Sequence, residues 1–192
     1  MYQHIRDNVR RLLAEIPPDV GIVAAAKART PEEIAAAIDA GISIIGENYV
    51  KEAVEIFDLI ETVDSVDIAR AIDRHAAAVG KIMPVLIEVN IGREAQKNGV
   101  FPEFLDALAR SITGLPNLRV SGLMTMGPRL EPEELRPYFA EAWRLYDGLQ
   151  REGLAGADMR YLSMGMSDSY GVAIEEGANL VRLGTAIFGP RG

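Results

Sequence analysis

The 192-residue chain contains no cysteine, which removes any disulfide framework or thiolate metal site and fits a reducing compartment. Histidine is nearly absent too: His4 and His75 stand far apart, so no pair at ligand spacing supports a histidine-based metal centre. Positive charge is in deficit, with 20 Lys and Arg against 28 Asp and Glu for a net charge of -8, and this argues against a nucleic-acid surface. No apolar run approaches about 18 residues, and the N-terminal MYQHIRDNVRRLLAEI is a charged amphipathic stretch without a signal-peptide core. The expectation is a cytoplasmic protein with no membrane anchor. Repeats, low-complexity tracts and linkers are also missing, so residues 1–192 are expected to form one domain. Acidic helix faces without a long exposed apolar stripe point to a monomer.

What the chain does have is alternation. Continuous apolar runs at 21–27, 42–46, 59–63, 84–90, 118–124, 160–163 and 180–184 read as strands buried on both faces. Segments with helical periodicity separate them, at 3–16, 50–57, 66–79, 102–113 and 132–152 among others. Thr30, Pro31 and Glu33 supply a cap, a first-turn proline and a capping-box acid for the helix after the first strand. Asp64 or Ser65 can cap the helix from 66. This pattern is the signature of a parallel α/β sheet with crossover helices. Seven strands leave two architectures open, a doubly wound sheet or a (β/α)8 barrel with one unit missing.

The most informative stretch is Tyr161–Gly189. Two strands there each run into a small-residue turn, Ser163, Gly165 and Ser167 after one, Gly184 and Thr185 after the other. In a parallel barrel the loops after the last two strands commonly hold a phosphate, because backbone N–H groups can face an anion unobstructed by side chains. Ser167 can cap the helix that begins near Asp168. Plain turn chemistry is the alternative. Neither a Walker ending nor a true nucleophile elbow is present: LGTAIFGPRG lacks GK[ST], and GMSDS has Ser169 where the elbow requires glycine.

Lys27 is a lone lysine ending the apolar GIVAAA, where burial would free its amine for imine formation. The alternative is a strand-end lysine reaching water. Asn48 and Asn90 end strands at the same face and could bond a ligand's ring substituents or their own loops. Arg182 lies inside the last strand, where a buried guanidinium needs an anion or a carboxylate.

VAAAKART around Lys27, GENYV at 46–50, VLIEVNIGREAQKNGV at 85–100, SGLMTM at 121–126, LSMGMSDSY at 162–170 and VRLGTAIFG at 181–189 together resemble the pyridoxal 5'-phosphate homeostasis protein family. Its members are single-domain relatives of the alanine racemase N-terminal barrel. The resemblance implies a (β/α)8 TIM barrel binding pyridoxal 5'-phosphate (PLP) as an internal aldimine on Lys27. The phosphate would lie in the loops of Ser163, Gly165 and Ser167 and of Gly184 and Thr185, with Asn48 and Arg182 also at the cofactor. It implies buffering or delivery of PLP to PLP-dependent apoenzymes, without robust turnover. The alternative is a PLP-dependent amino-acid racemase. That reading is weakened because alanine racemase draws its second base, a tyrosine, from an extra β-domain; Tyr49 and Tyr170 are the substitutes on offer. One departure stands out: GENYV runs almost directly into KEAVEIFDLIETVDS, without the family's WHFIG-like strand and following motif. About one βα unit, the third strand, is missing. Loss of a central strand exposes two edges, so the expectation is that this sequence closes over a segment of the natural protein.

Overall fold

A computed structural model describes residues 2–27, 29–46, 54 and 57–190. Seven parallel strands lie among them: β1 Gly21–Ala25, β2 Ile44–Gly46, β3 Ile60–Val63, β4 Met83–Glu88, β5 Leu118–Met124, β6 Ala157–Ser163 and β7 Leu180–Leu183. The helices are α1 Gln3–Glu15, α2 Pro31–Asp39, α3 Val66–Ala78, α4 Leu105–Thr113, α5 Pro132–Glu152, α6 Tyr170–Glu175 and α7 Thr185–Phe188. The helix expected at 50–57 falls mostly outside the described residues.

Local sequence explains several boundaries. Thr30 Oγ1 accepts from Glu33 N at 3.3 Å while Thr30 N donates to Glu33 Oε2 at 2.9 Å, the reciprocal box that starts α2. Ser65, not Asp64, caps α3 by accepting from Ile68 N. Asp64 instead accepts from Gly99 N at 3.2 Å and ties down the loop after β4. β1 is shorter than the apolar run suggests. It ends at Ala25, and Arg29 N bonds Ala26 O.

The sheet order is β2-β1-β7-β6-β5-β4-β3. A doubly wound sheet would begin in its interior and grow outward in both directions. Here the first strand pairs with the last, Ala24 beside Leu183, and the opening falls between β2 and β3. Side chains prove that the sheet curls. β3 and β7 are four places apart, roughly 19 Å on a flat sheet at the usual strand spacing, yet Glu61 and Arg182 approach to 3.9 Å. Alternation along the strands therefore separates an outer face from an interior. Ile22, Ala24, Val85, Ile87, Leu123, Leu162, Val181 and Leu183 point outward and pack with Ile5, Val9 and Leu12 of α1, Ile72 of α3, Ile112 of α4 and Phe139 of α5. Val23, Leu86, Met124 and Leu180 form a separate interior cluster, with Leu59 and Tyr161 against it.

Gly122 is the tightest point of this wall. Its φ is +151, and a Cβ there would sit 1.8 Å from Tyr161 O, at the register shift between β5 and β6. We expect Gly122→Ala to lower unfolding free energy by more than ~3 kcal/mol, because the clash is with backbone that cannot rotate away. Urea unfolding followed by circular dichroism would measure it.

Candidate functional site

The strands' C-terminal ends form a mouth, and the chain's chemistry collects there. Directly above the apolar interior cluster lies a polar layer: Glu61 of β3, Glu88 of β4, Ser163 of β6 and Arg182 of β7. Each follows an inward-facing apolar residue by two positions, Leu59, Leu86, Tyr161 and Leu180 respectively, as strand alternation requires. Arg182 Nη1 donates to Ser163 Oγ at 2.7 Å and Nη2 donates to Thr125 O at 2.8 Å. Ser163 Oγ donates to Glu61 Oε2 at 2.9 Å. The buried guanidinium thus has the carboxylate partner that its position in a strand demands. Burial lowers its pKa, and Glu61 and Glu88 oppose that shift. It stays protonated, since arginine does not titrate in proteins. The Glu88 carboxyl is pushed up, first by burial and then by Asp64, against the opposing pull of Arg182.

A second arrangement lies where the loops after β6 and β7 meet. Ser167 Oγ accepts from Gly184 N at 3.3 Å and from Ala186 N at 3.0 Å. Ser167 therefore caps α7, which follows β7, and not the helix that follows its own loop. At α6 the N-cap is Ser169, whose Oγ accepts from Met166 N. Gly165 has φ +90, and a Cβ would meet that of Ala173 at 2.6 Å, so the loop can lie on α6 only without a side chain here. Its carbonyl accepts from Arg182 N, joining the two loops. Thr185 is exposed at the start of α7.

Lys27 stands beside this cradle, in the turn after β1, with Gly184 packed next to Ala25. The turn leaves the lysine exposed, so the burial that its apolar stem suggests is not found. Its amine is nonetheless distinctive. The chain has four lysines, Lys27, Lys51, Lys81 and Lys97. Lys81 Nζ donates to Val54 O and Phe57 O, and Lys97 Nζ donates to Gly127 O and pairs with Glu94. Lys51 lies outside the described residues. Lys27 Nζ has no hydrogen-bond or ion-pair partner among the described residues.

Asn48 lies outside the described residues, as does Tyr49. Asn90 is consumed by its own loop: Oδ1 accepts from Glu94 N, and Nδ2 donates to Glu94 O and Lys97 O. Tyr170 donates to Glu15 Oε1 at 2.6 Å, away from the mouth. Glu61 and Glu88 were not legible as site residues, although one signal existed: each is the lone charged residue of its strand, IETV and MPVLIE. A roomy concavity of about 400 Å³ near Trp143 and Gly177 is lined by Ala140, Arg144, Glu175 and Glu176 and shares no residue with the mouth.

The sequence pattern described as "Alanine racemase, N-terminal domain" matches residues 55–192. The pyridoxal phosphate homeostasis protein of Aquifex aeolicus (strain VF5) is 38% identical, over 88% of this chain and 86% of its own length. The chain belongs to the pyridoxal phosphate homeostasis protein family. PipY of Synechococcus elongatus PCC7942, solved with PLP bound, superimposes with a TM-score of 0.86 at 29% identity, over 96% of this chain and 100% of that one. The alanine racemase of Bacillus anthracis has the same fold at 17% identity, with a TM-score of 0.70 over 99% of this chain but 56% of the racemase. The fold is thus the alanine racemase N-terminal fold, an α/β architecture on a parallel sheet.

Proposed function

We propose that this protein binds pyridoxal 5'-phosphate at the mouth and serves the homeostasis of that cofactor, holding it and passing it to PLP-dependent apoenzymes in the cytoplasm. One observation carries the reading: Lys27, whose amine has no hydrogen-bond or ion-pair partner among the described residues, follows β1 beside a pair of backbone N–H groups that converge on a single oxygen, Ser167 Oγ. The family membership and the PLP-bound PipY relative support it. No helix of the described residues is long and apolar enough to cross a membrane, which accords with a cytoplasmic site of action.

The residues present fit the cofactor's chemistry. PLP supplies an aldehyde that condenses with an amine and a phosphate that accepts hydrogen bonds. Lys27 Nζ would be the amine that holds the aldehyde end. Gly184 N and Ala186 N, now donating to Ser167 Oγ, would be available to a phosphate oxygen, and the Ser167 and Thr185 hydroxyls would add two further donors. Gly165 shapes the loop that carries Ser167. Arg182 presents its guanidinium from the barrel interior, kept in place by Ser163, Glu61 and Thr125 O. Ser163 acts here through Arg182, because its hydroxyl proton is given to Glu61. Asn48, which could bond the ring's substituents, lies outside the described residues. We expect Thr185→Val to weaken PLP binding by ~1–2 kcal/mol through one lost phosphate hydrogen bond, measurable by absorbance titration.

Racemisation would need acid/base groups on opposite faces of the substrate carbon, and Tyr170 is engaged elsewhere. We therefore favour a carrier over a racemase. We also propose that this single domain is a (β/α)8 barrel short of one βα unit between β2 and β3. Two facts support this: the sheet opens there, and the alignment with the Aquifex relative runs over 199 positions although only 88% of 192 residues take part.

Mixing the PLP-loaded protein with an excess of a PLP-dependent apoenzyme tests the function. Recovery of that enzyme's activity, with matching loss of the bound cofactor, is the expected result. A loaded protein that never gives up PLP, or never takes it, would contradict the proposal.

A further inference from the structure

The polar layer holds one group that nothing so far employs. Glu88 ends β4 pointing inward, two residues above Leu86, and is only 6% exposed. The carboxyl oxygens of this residue have no hydrogen-bond partner among the described residues, whereas the other carboxylate of the layer, Glu61, is taken up by Ser163 and Arg182. The residue is largely buried, yet its oxygens are not sealed off: among the described residues the fully enclosed side-chain oxygen without a partner is Glu94 Oε2, not one of Glu88. Arg182 is close enough to act on Glu88 electrostatically, but its bonds go to Ser163 and Thr125 O. Glu88 therefore faces the mouth with its bonding capacity intact, on the strand across the opening from Lys27.

We propose that the Glu88 carboxyl hydrogen-bonds the pyridine ring of bound pyridoxal phosphate, so that it determines affinity for the ring and not for the phosphate. This rests on the assignment of PLP to the mouth. The two ends of the ligand are then read by different parts of the chain: the phosphate by the loops after β6 and β7, and the ring by the layer beneath. The burial that raises the Glu88 pKa favours its protonated form, which can donate as well as accept.

Pyridoxal, which has the ring and the aldehyde but no phosphate, separates the two contributions when its affinity is compared with that of PLP. Glu88→Ala should weaken both ligands by about tenfold, the worth of one good hydrogen bond to a buried group. Glu88→Gln, nearly the same shape and still a donor, should stay within about threefold of the parent for both. Thr185→Val should weaken PLP alone. Glu88→Ala that leaves pyridoxal affinity unchanged would overturn the proposal, as would Glu88→Gln that falls as far as Glu88→Ala while its thermal midpoint drops equally, since that would mark a folding role. A parent protein that binds neither ligand would overturn the PLP assignment itself, and with it this inference.

Discussion

Lys27→Ala protein mixed with PLP is expected to show no visible absorption band above that of the free cofactor, and its affinity is expected to fall by about 3 kcal/mol, roughly a hundredfold. The expectation rests on the amine's accessibility and on its having no competing partner among the described residues. Lys81 and Lys97 are each bound to backbone carbonyls, so neither can replace it without breaking a loop. Because Lys27 is exposed, its truncation should leave the thermal midpoint nearly unchanged, within about 0.5 kcal/mol of the parent stability. Residual weak binding should persist, since the N–H groups of Gly184 and Ala186 and the Thr185 hydroxyl do not depend on the lysine. Phosphate-driven binding without the absorption band is the signature that separates loss of the covalent bond from loss of the site. A band that survives in the variant would assign the covalent bond elsewhere.

Arg182→Met is expected to have the largest effect on stability. The substitution keeps most of the apolar stem but leaves Glu61 and Glu88 without the guanidinium on which both act. Breaking a buried pair from one side typically costs about 3–5 kcal/mol. The cost should depend on pH in a defined direction. Glu88 already holds its proton more tightly in the folded protein than in the unfolded chain, where a glutamate titrates near 4.5. Its contribution to stability is therefore complete below that value and is lost as pH rises through the higher folded value. Removing the guanidinium removes the one nearby charge that lowers the Glu88 pKa, so this loss should deepen. Urea midpoints of parent and variant should converge at acid pH, where the Glu88 carboxyl is neutral, and diverge toward neutrality. A difference that does not vary with pH would show that the carboxylates do not face an uncompensated charge.

Much of the scaffold was legible because its signals are local. The Thr30–Glu33 box lies within one turn, and continuous apolar runs mark strands covered on both sides. Strand boundaries were less so. β6 starts at Ala157, three residues before the expected strand, because Ala157–Met159 carry no unbroken apolar run. β1 stops at Ala25 because the chain turns through a hydrogen bond from Arg29 to Ala26, which an alanine-rich sequence gives no sign of. The sheet order could not be read at all. The pairing of β1 with β7 joins residues about as far apart as the chain allows, and only their contact rules out the doubly wound alternative.

The candidate site divides along the same line. Ser167, Gly184 and Thr185 stand out as small residues after strands, but the partner of Ser167 is the helix 17 to 19 residues further on, a relation set by tertiary structure. Arg182 was recognisable as a strand arginine in need of an anion. That this anion is Glu61 follows from curling of the sheet, which brings β3 within reach of β7. Asn90 shows the reverse: a strand-end amide facing the right way is consumed by the loop it begins.

The most direct test of the central claim treats the parent protein with PLP, reduces it with borohydride and maps the digested peptides by mass. The account predicts one fixed addition, on the peptide containing Lys27, with none on those containing Lys51, Lys81 or Lys97. No fixed addition on folded protein, or an addition on another lysine, would contradict it.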